Sequence, residues 1–236
     1  MSSFLIIRDE DKAKPIAQSL VKNGDIVIVT PILQIEEITV DLNSLRDCNN
    51  FNAAIVTSQN ACHTTLQILN YLKVSKDVII YATGKQTAEP FIDHGYRNVI
   101  IPKIESAESL SQLILAQQKN LHILYCRALE VSFDFNLTLQ NQHLLHEIIC
   151  YKTSMHHDFI DNLTKKLATL ELSNIDYIVV YSKKSVAMFL SATQNLRNRY
   201  FSNSKLVCTN NNLKKNIQEL ARQAGFGEVI TINSIK

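Results

Sequence analysis

No glycine-rich phosphate loop occurs in this chain. Its single Gly-Lys pair lies in "VIIYATGKQTAEPFIDHGYRNVIIP" (78–102), where Ile79 stands five residues before Gly84 and Gln86 follows Lys85. A nucleotide loop needs glycine at the first place, so that backbone N–H groups wrap a phosphate, and Ser or Thr at the second for the metal. Glycine is scarce throughout, with five in 236 residues. No run of about 18 apolar residues is present, which excludes a membrane-spanning helix, and the N-terminus enters a strand-like segment directly, without a signal-peptide pattern. A basic face is missing too. The net charge is +2 and the Lys and Arg residues are scattered, which argues against nucleic acid as a partner. The five cysteines (48, 62, 126, 150 and 208) form no C-x-x-C pair. Three fall in hydrophobic strand-like runs, so the expectation is reduced thiols in a cytoplasmic protein. His143 with His146, and His156 with His157, lack a surrounding ligand set; they read as surface histidines, and no metal is expected. Nor is there a nucleophile–His–Asp set.

What is present is alternation. Short β-rich apolar runs near 4–8, 26–30, 53–57, 78–82, 98–101, 122–126, 176–181, 205–208 and 228–232 are separated by segments of helical period. The latter fall near 11–22, 59–70, 86–94, 106–118, 133–142, 158–170, 184–193 and 211–223. This order predicts parallel sheets with helices on both faces. Gly24, Gly95 and Gly225 each follow a helical pattern and precede a strand, where a left-handed residue ends a helix.

The chain also repeats itself. "AAIVTSQNACHTTLQIL" (53–69) resembles "DYIVVYSKKSVAMFLSA" (176–192), each a strand ending in a hydroxyl residue, Ser58 or Ser182, followed by a helix. Segments 78–101 and 205–232 share strand, polar turn, helix, Gly, strand. Segments 4–31 and 122–153 each carry an arginine, Arg8 or Arg127, at the end of their first strand. A long-period repeat implies two similar α/β halves. The tails that follow the opening units, "TPILQIEEITV" (30–40) and "EIICYKTSM" (147–155), alternate in β fashion and could pair as a two-stranded connector.

This ordered set resembles the uroporphyrinogen-III synthase family across essentially the whole chain. The motifs are the strand-end Arg, "TSQNA", "TGKQTA" with "HGY", "CYKT", the second strand–Ser and the final "AGF". The resemblance implies two parallel-sheet α/β lobes joined by an antiparallel two-stranded connector that the chain crosses twice. One lobe would combine 1–34 with 153–236, and the other would be 35–152. It implies a substrate, hydroxymethylbilane, with eight carboxylates, bound between the lobes; a monomer is expected because the sequence leaves over no extra apolar surface helix. It further implies a cofactor-free loss of water followed by ring closure with inversion of ring D. The anion expected at Gly84-Lys85 is then a carboxylate, held by a helix N-terminus.

Residue by residue, Tyr151 matches a connector tyrosine placed to assist departure of hydroxide. Thr87, with Gly84 and Lys85, matches a carboxylate-binding turn. Thr57, Ser58 and Asn60 belong to the "TSQNA" turn, Ser58 also reading as a helix N-cap. Ser182 and Lys183 hold the equivalent place in the other half, and Arg8 and Arg127 match strand-end arginines. The chain departs from the family at Asp9, at Ala128, and at "CTNNN", where Asn210 and Asn211 would replace a hydroxyl-rich turn. The competing reading is a non-catalytic two-lobed binding protein for a small polyanion. A nucleotide-sugar transferase would require a diphosphate site that the residues do not supply.

Overall fold

The computed structural model describes residues 1–46, 48, 50–117 and 119–234, apart from the side chain of Ser234. Two compact units emerge, Met1–Gln34 with Ser154–Lys236, and Ile35–Thr153.

The first unit is built from β1 (Ser3–Ile6), α1 (Glu10–Lys22), β2 (Ile26–Val29), α6 (Phe159–Thr169), β9 (Tyr177–Val180), α7 (Lys183–Ala192), β10 (Lys205–Cys208), α8 (Asn211–Gln223) and β11 (Val229–Thr231). The second holds β4 (Ala53–Val56), α2 (Gln59–Tyr71), β5 (Ile79–Ala82), α3 (Lys85–Asp93), β6 (Asn98–Ile100), α4 (Ala107–Gln117), β7 (His122–Ala128) and α5 (Phe135–Leu139). Strands β3 (Leu33–Glu37) and β8 (Leu144–Met155) carry the two passages between units.

The first sheet runs β2-β1-β9-β10-β11 and the second β3-β8-β7-β4-β5-β6. With β1 matched to β7, β9 to β4, β10 to β5 and β11 to β6, the orders coincide. The internal repeat is therefore a repeat of topology. Registered pairs in both sheets are parallel. Strand β3 is different: Ile38 N–H donates to Cys150 O, and His156 N–H to Ile32 O. Moving forward along one strand moves backward along the other, so β3 and β8 are antiparallel, as their alternating pattern predicts.

Both faces of each sheet are covered, which explains the near-continuous apolar strands. In β4, Ala54 and Val56 pack with α2 residues such as Leu66 and Leu69, while Ala53 and Ile55 pack with Leu110 and Ile114 of α4. In the other sheet Leu5 lies among Phe159, Leu163 and Phe189, and Phe4 and Ile6 against Ala13. Full burial of each such Leu, Ile or Phe contributes about 1.5–3 kcal/mol.

Helix ends show the same economy. Gly24, Gly95 and Gly225 have φ of 83°, 81° and 74°. Two other ends use the same left-handed turn without glycine, Lys73 at φ 53° after α2 and Glu171 at φ 52° after α6.

Three expectations need correction. The helix predicted over 133–142 spans only 135–139. The Asp134 carboxylate caps Leu137 N–H at 2.8 Å, and Gln142 and His143 N–H both turn back onto Leu139 O, ending the helix. Strand β8 starts at Leu144 rather than 147, because 144–146 already pair with 122–124 of β7. His143 is not a surface histidine: it is 6% exposed and its Nδ1 accepts from Leu121 N–H at 3.3 Å. The last residue of the helix predicted over 106–118, Gln118, lies outside the described residues.

Candidate functional site

An open parallel sheet binds ligands beyond the carboxyl ends of its strands, where the strand order reverses. That point lies between β1 and β9 in one unit and between β7 and β4 in the other. A cavity is found at each.

In the second unit the cavity measures ≈ 330 Å³. Its walls carry the hydroxyls of Thr57, Ser58, Thr83, Ser106, Ser132, Tyr125 and Tyr151, the carboxylates of Glu105 and Glu130, and no Lys, Arg or His among the described residues. Tyr151 is 8% exposed; the β7–β8 register shifts between Arg127 and Ala128, with Cys150 the extra residue on β8, so that Ala128 faces Tyr151. A bulge re-aims side chains at a strand end. Thr57 directly follows β4, and its carbonyl accepts from Thr83 Oγ1 at 3.2 Å. Ser58 caps α2, its Oγ accepting from Asn60 N–H at 3.3 Å, while Asn60 itself is exposed and outside the cavity wall.

The Gly84 turn does not present an empty helix terminus. Lys85 N–H donates to Glu105 Oε1 at 3.2 Å, so the protein's own carboxylate sits at the start of α3. Gly84 allows that approach: a Cβ there would lie 2.5 Å from Glu105 Oε2. The Lys85 side chain is exposed. Thr87 is buried, and its N–H is spent on Gly84 O at 3.1 Å, leaving only its hydroxyl for the predicted carboxylate. Arg127 is likewise engaged. It pairs with Glu147 at 3.1 Å and donates to the carbonyls of Ala128 and Leu129, and it does not line the cavity.

In the first unit the corresponding cavity is smaller, ≈ 90 Å³, lined by Arg8, Asp9, Tyr181, Ser182 and Ser185 together with apolar residues. The Arg8 guanidinium lies 4.1 Å from the Tyr181 ring centroid. Ser182 caps α7 and accepts from Ser185 N–H at 3.1 Å. Lys183 is exposed on the first turn of that helix. Asn210 caps α8 through Leu213 N–H at 2.8 Å, and Asn211 is exposed beside it; neither reaches this cavity. A larger groove of ≈ 640 Å³ runs beside β2, but its Lys166 is already paired, with Glu10 at 3.6 Å and Val29 O at 2.6 Å.

His156, His157 and Asp158 bring donor atoms within 4.8 Å of one another. They contact one another, with Asp158 N–H on His156 Nδ1 and the His157 ring on the Asp158 carboxylate at 3.1 Å, and His157 and Asp158 are exposed. All five cysteines are unpaired.

A family model described as Uroporphyrinogen-III synthase HemD matches residues 14–232. The chain belongs to the uroporphyrinogen-III synthase family. That family consists of cyclising lyases of tetrapyrrole biosynthesis, and it acts on hydroxymethylbilane. No curated protein matches significantly. Among solved structures, a mutant uroporphyrinogen III synthase from the extreme thermophile Thermus thermophilus aligns over 100% of this chain and 94% of its own, at TM-score 0.54 and 11% identity. The wild-type enzyme of the same organism, in its Form-2 crystal, covers 98% of this chain and 91% of its own at TM-score 0.47 and 14% identity.

The cavity in the second unit has lining groups that the sequence hid. Tyr125 sits inside the apolar run "HILYC" and reads as core; only its closeness to a strand end hints at more. Thr83 and Glu105 join the same wall through a turn and a loop, and Glu105 meets Gly84 across twenty-one positions, a spacing without local signal.

Proposed function

We propose that this chain converts hydroxymethylbilane to uroporphyrinogen III at the carboxyl ends of its strands. The terminal hydroxymethyl C–O bond breaks, hydroxide takes a proton and leaves as water, and an azafulvenium cation remains. The substituted carbon of ring D attacks it, giving a spiro intermediate. Fragmentation and reclosure at the other carbon invert the ring, and loss of a proton restores the aromatic pyrrole. Substrate minus one water equals product, and the pyrroles supply the electrons.

In this reading Tyr151 donates to the departing hydroxide, a contribution of about 10²–10⁴-fold for well-placed general acids. Thr57, Ser58, Thr87, Ser182 and Arg8 hold carboxylates. The supporting observation is the hydroxyl-lined, cation-free cavity at a sheet switch point with Tyr151 in its wall. Neutral donors can bind carboxylates while leaving the developing cation unopposed by fixed positive charge. The unpaired cysteines fit a cytoplasmic setting, and we take the enzyme to act as a monomer. Incubation with freshly made hydroxymethylbilane, followed by separation of the type I and type III products, tests the proposal.

A further inference from the structure

We propose that Tyr125 is a second phenol of the site, a neutral hydrogen-bond donor that binds one substrate carboxylate together with Thr57. The proposal rests on the function just given and adds a substrate-positioning residue to it.

Tyr125 faces Ile55 of β4 and Glu147 of β8, three positions before the end of β7. Its ring is 2% exposed, yet it lines the cavity. The hydroxyl has one hydrogen-bond neighbour among the described residues, Thr57 Oγ1 at 3.5 Å, the outer limit for such a bond. Tyr81, at the equivalent height on β5, behaves differently and donates to Gln117 Oε1 at 3.3 Å. A nearly buried phenol with so weak a partner has hydrogen-bonding capacity left over. The capacity is directed at the space it shares with Thr57.

The group is also held still. The Tyr125 ring meets Phe135 edge to face at 5.2 Å, and the Thr57 backbone is tied to Thr83. Two fixed O–H donors at this separation can both reach one carboxylate oxygen, with little ordering left to be done on binding. Burial pushes the Tyr125 phenol up from its ordinary value of 10. The phenol therefore stays protonated at neutral pH, and it brings no negative charge to an octa-anionic substrate.

Tyr125→Phe keeps the ring and removes only the donor. Loss of one hydrogen bond to a charged group should raise KM about tenfold, equal to 1.4 kcal/mol, with kcat falling no more than about twofold. The Kd for uroporphyrin III, the oxidised product that keeps all eight carboxylates, should rise by the same factor, with an unchanged unfolding midpoint. Thr57→Val should show the same pattern, and the double variant should lose less than the product of the two single losses. A Tyr125→Phe protein whose KM and Kd stay within twofold of wild type, or whose loss lies wholly in kcat, overturns the proposal. Should the wild type form no type III isomer, the proposed function falls, while the uroporphyrin titration still decides Tyr125.

Discussion

An alanine at position 84 and a carboxylate from Glu105 at the start of α3 compete for one place. Gly84 has φ −164° and ψ 174°, extended backbone that alanine adopts without strain. The obstacle is contact: the new Cβ would lie 2.5 Å from Glu105 Oε2 and 2.8 Å from its Cδ. Both atoms are at the far end of a flexible side chain, so Glu105 can swing out. Gly84→Ala then forfeits the attraction between that carboxylate and the helix N-terminus, about 0.3–1 kcal/mol for an exposed group. It gains about 0.4–1 kcal/mol from the stiffer unfolded chain. The two nearly cancel, and the unfolding midpoint should move by no more than about 2 °C. Glu105→Ala alone should destabilise by the first amount. On that background the clash is gone, and Gly84→Ala should now stabilise by the whole of the second. Calorimetry of the four proteins reads the difference between the two backgrounds. A loss above about 2 kcal/mol from Gly84→Ala in both backgrounds would refute the reasoning, since something other than Glu105 would then be limiting the space.

Lys73→Gly and Glu171→Gly should each stabilise by up to about 1 kcal/mol, because L side chains resist the left-handed turn they now occupy; denaturant midpoints check this, and a loss at both positions contradicts it. Burial holds the His143 ring below its ordinary pKa of 6.5. The unfolded chain therefore takes up the proton first, and the contribution of the neutral ring is present above about pH 6.5 and lost as pH falls below it. Thermal midpoints should accordingly drop more steeply below pH 6.5 in the wild type than in His143→Gln; parallel curves would dismiss the effect. Tyr151→Phe should keep its stability and lose about 10²-fold in the initial rate of type III formation, about 2.7 kcal/mol. An unchanged rate returns Tyr151 to a structural role.

The sheets were readable because their strands are buried on both faces and alternate with amphipathic helices. Glycine marked three helix ends, but Lys73 and Glu171 adopt the same turn without the residue that announces it. Helix α5 reads too long because nothing in the polar run Gln140-Asn141-Gln142 announces its end, while the Asp134 cap and the turn at 142–143 decide its length. Positions at strand ends and helix caps were legible, as at Thr57, Ser58, Ser182 and Asn210. The site was hidden where tertiary pairing decides the outcome. Arg127 reads as a free cation until Glu147, twenty positions on, is seen beside it. The Gly84 turn reads as an open anion site until Glu105 is found on Lys85 N–H.

The most direct measurement is the isomer ratio formed from hydroxymethylbilane in the presence and absence of the protein. Without a catalyst the linear tetrapyrrole closes without inversion, to the type I ring. The account predicts that the wild-type protein, after exhaustive chelation and with nothing added, turns the product to type III with ring D inverted. Type I alone, at the uncatalysed rate, would contradict it.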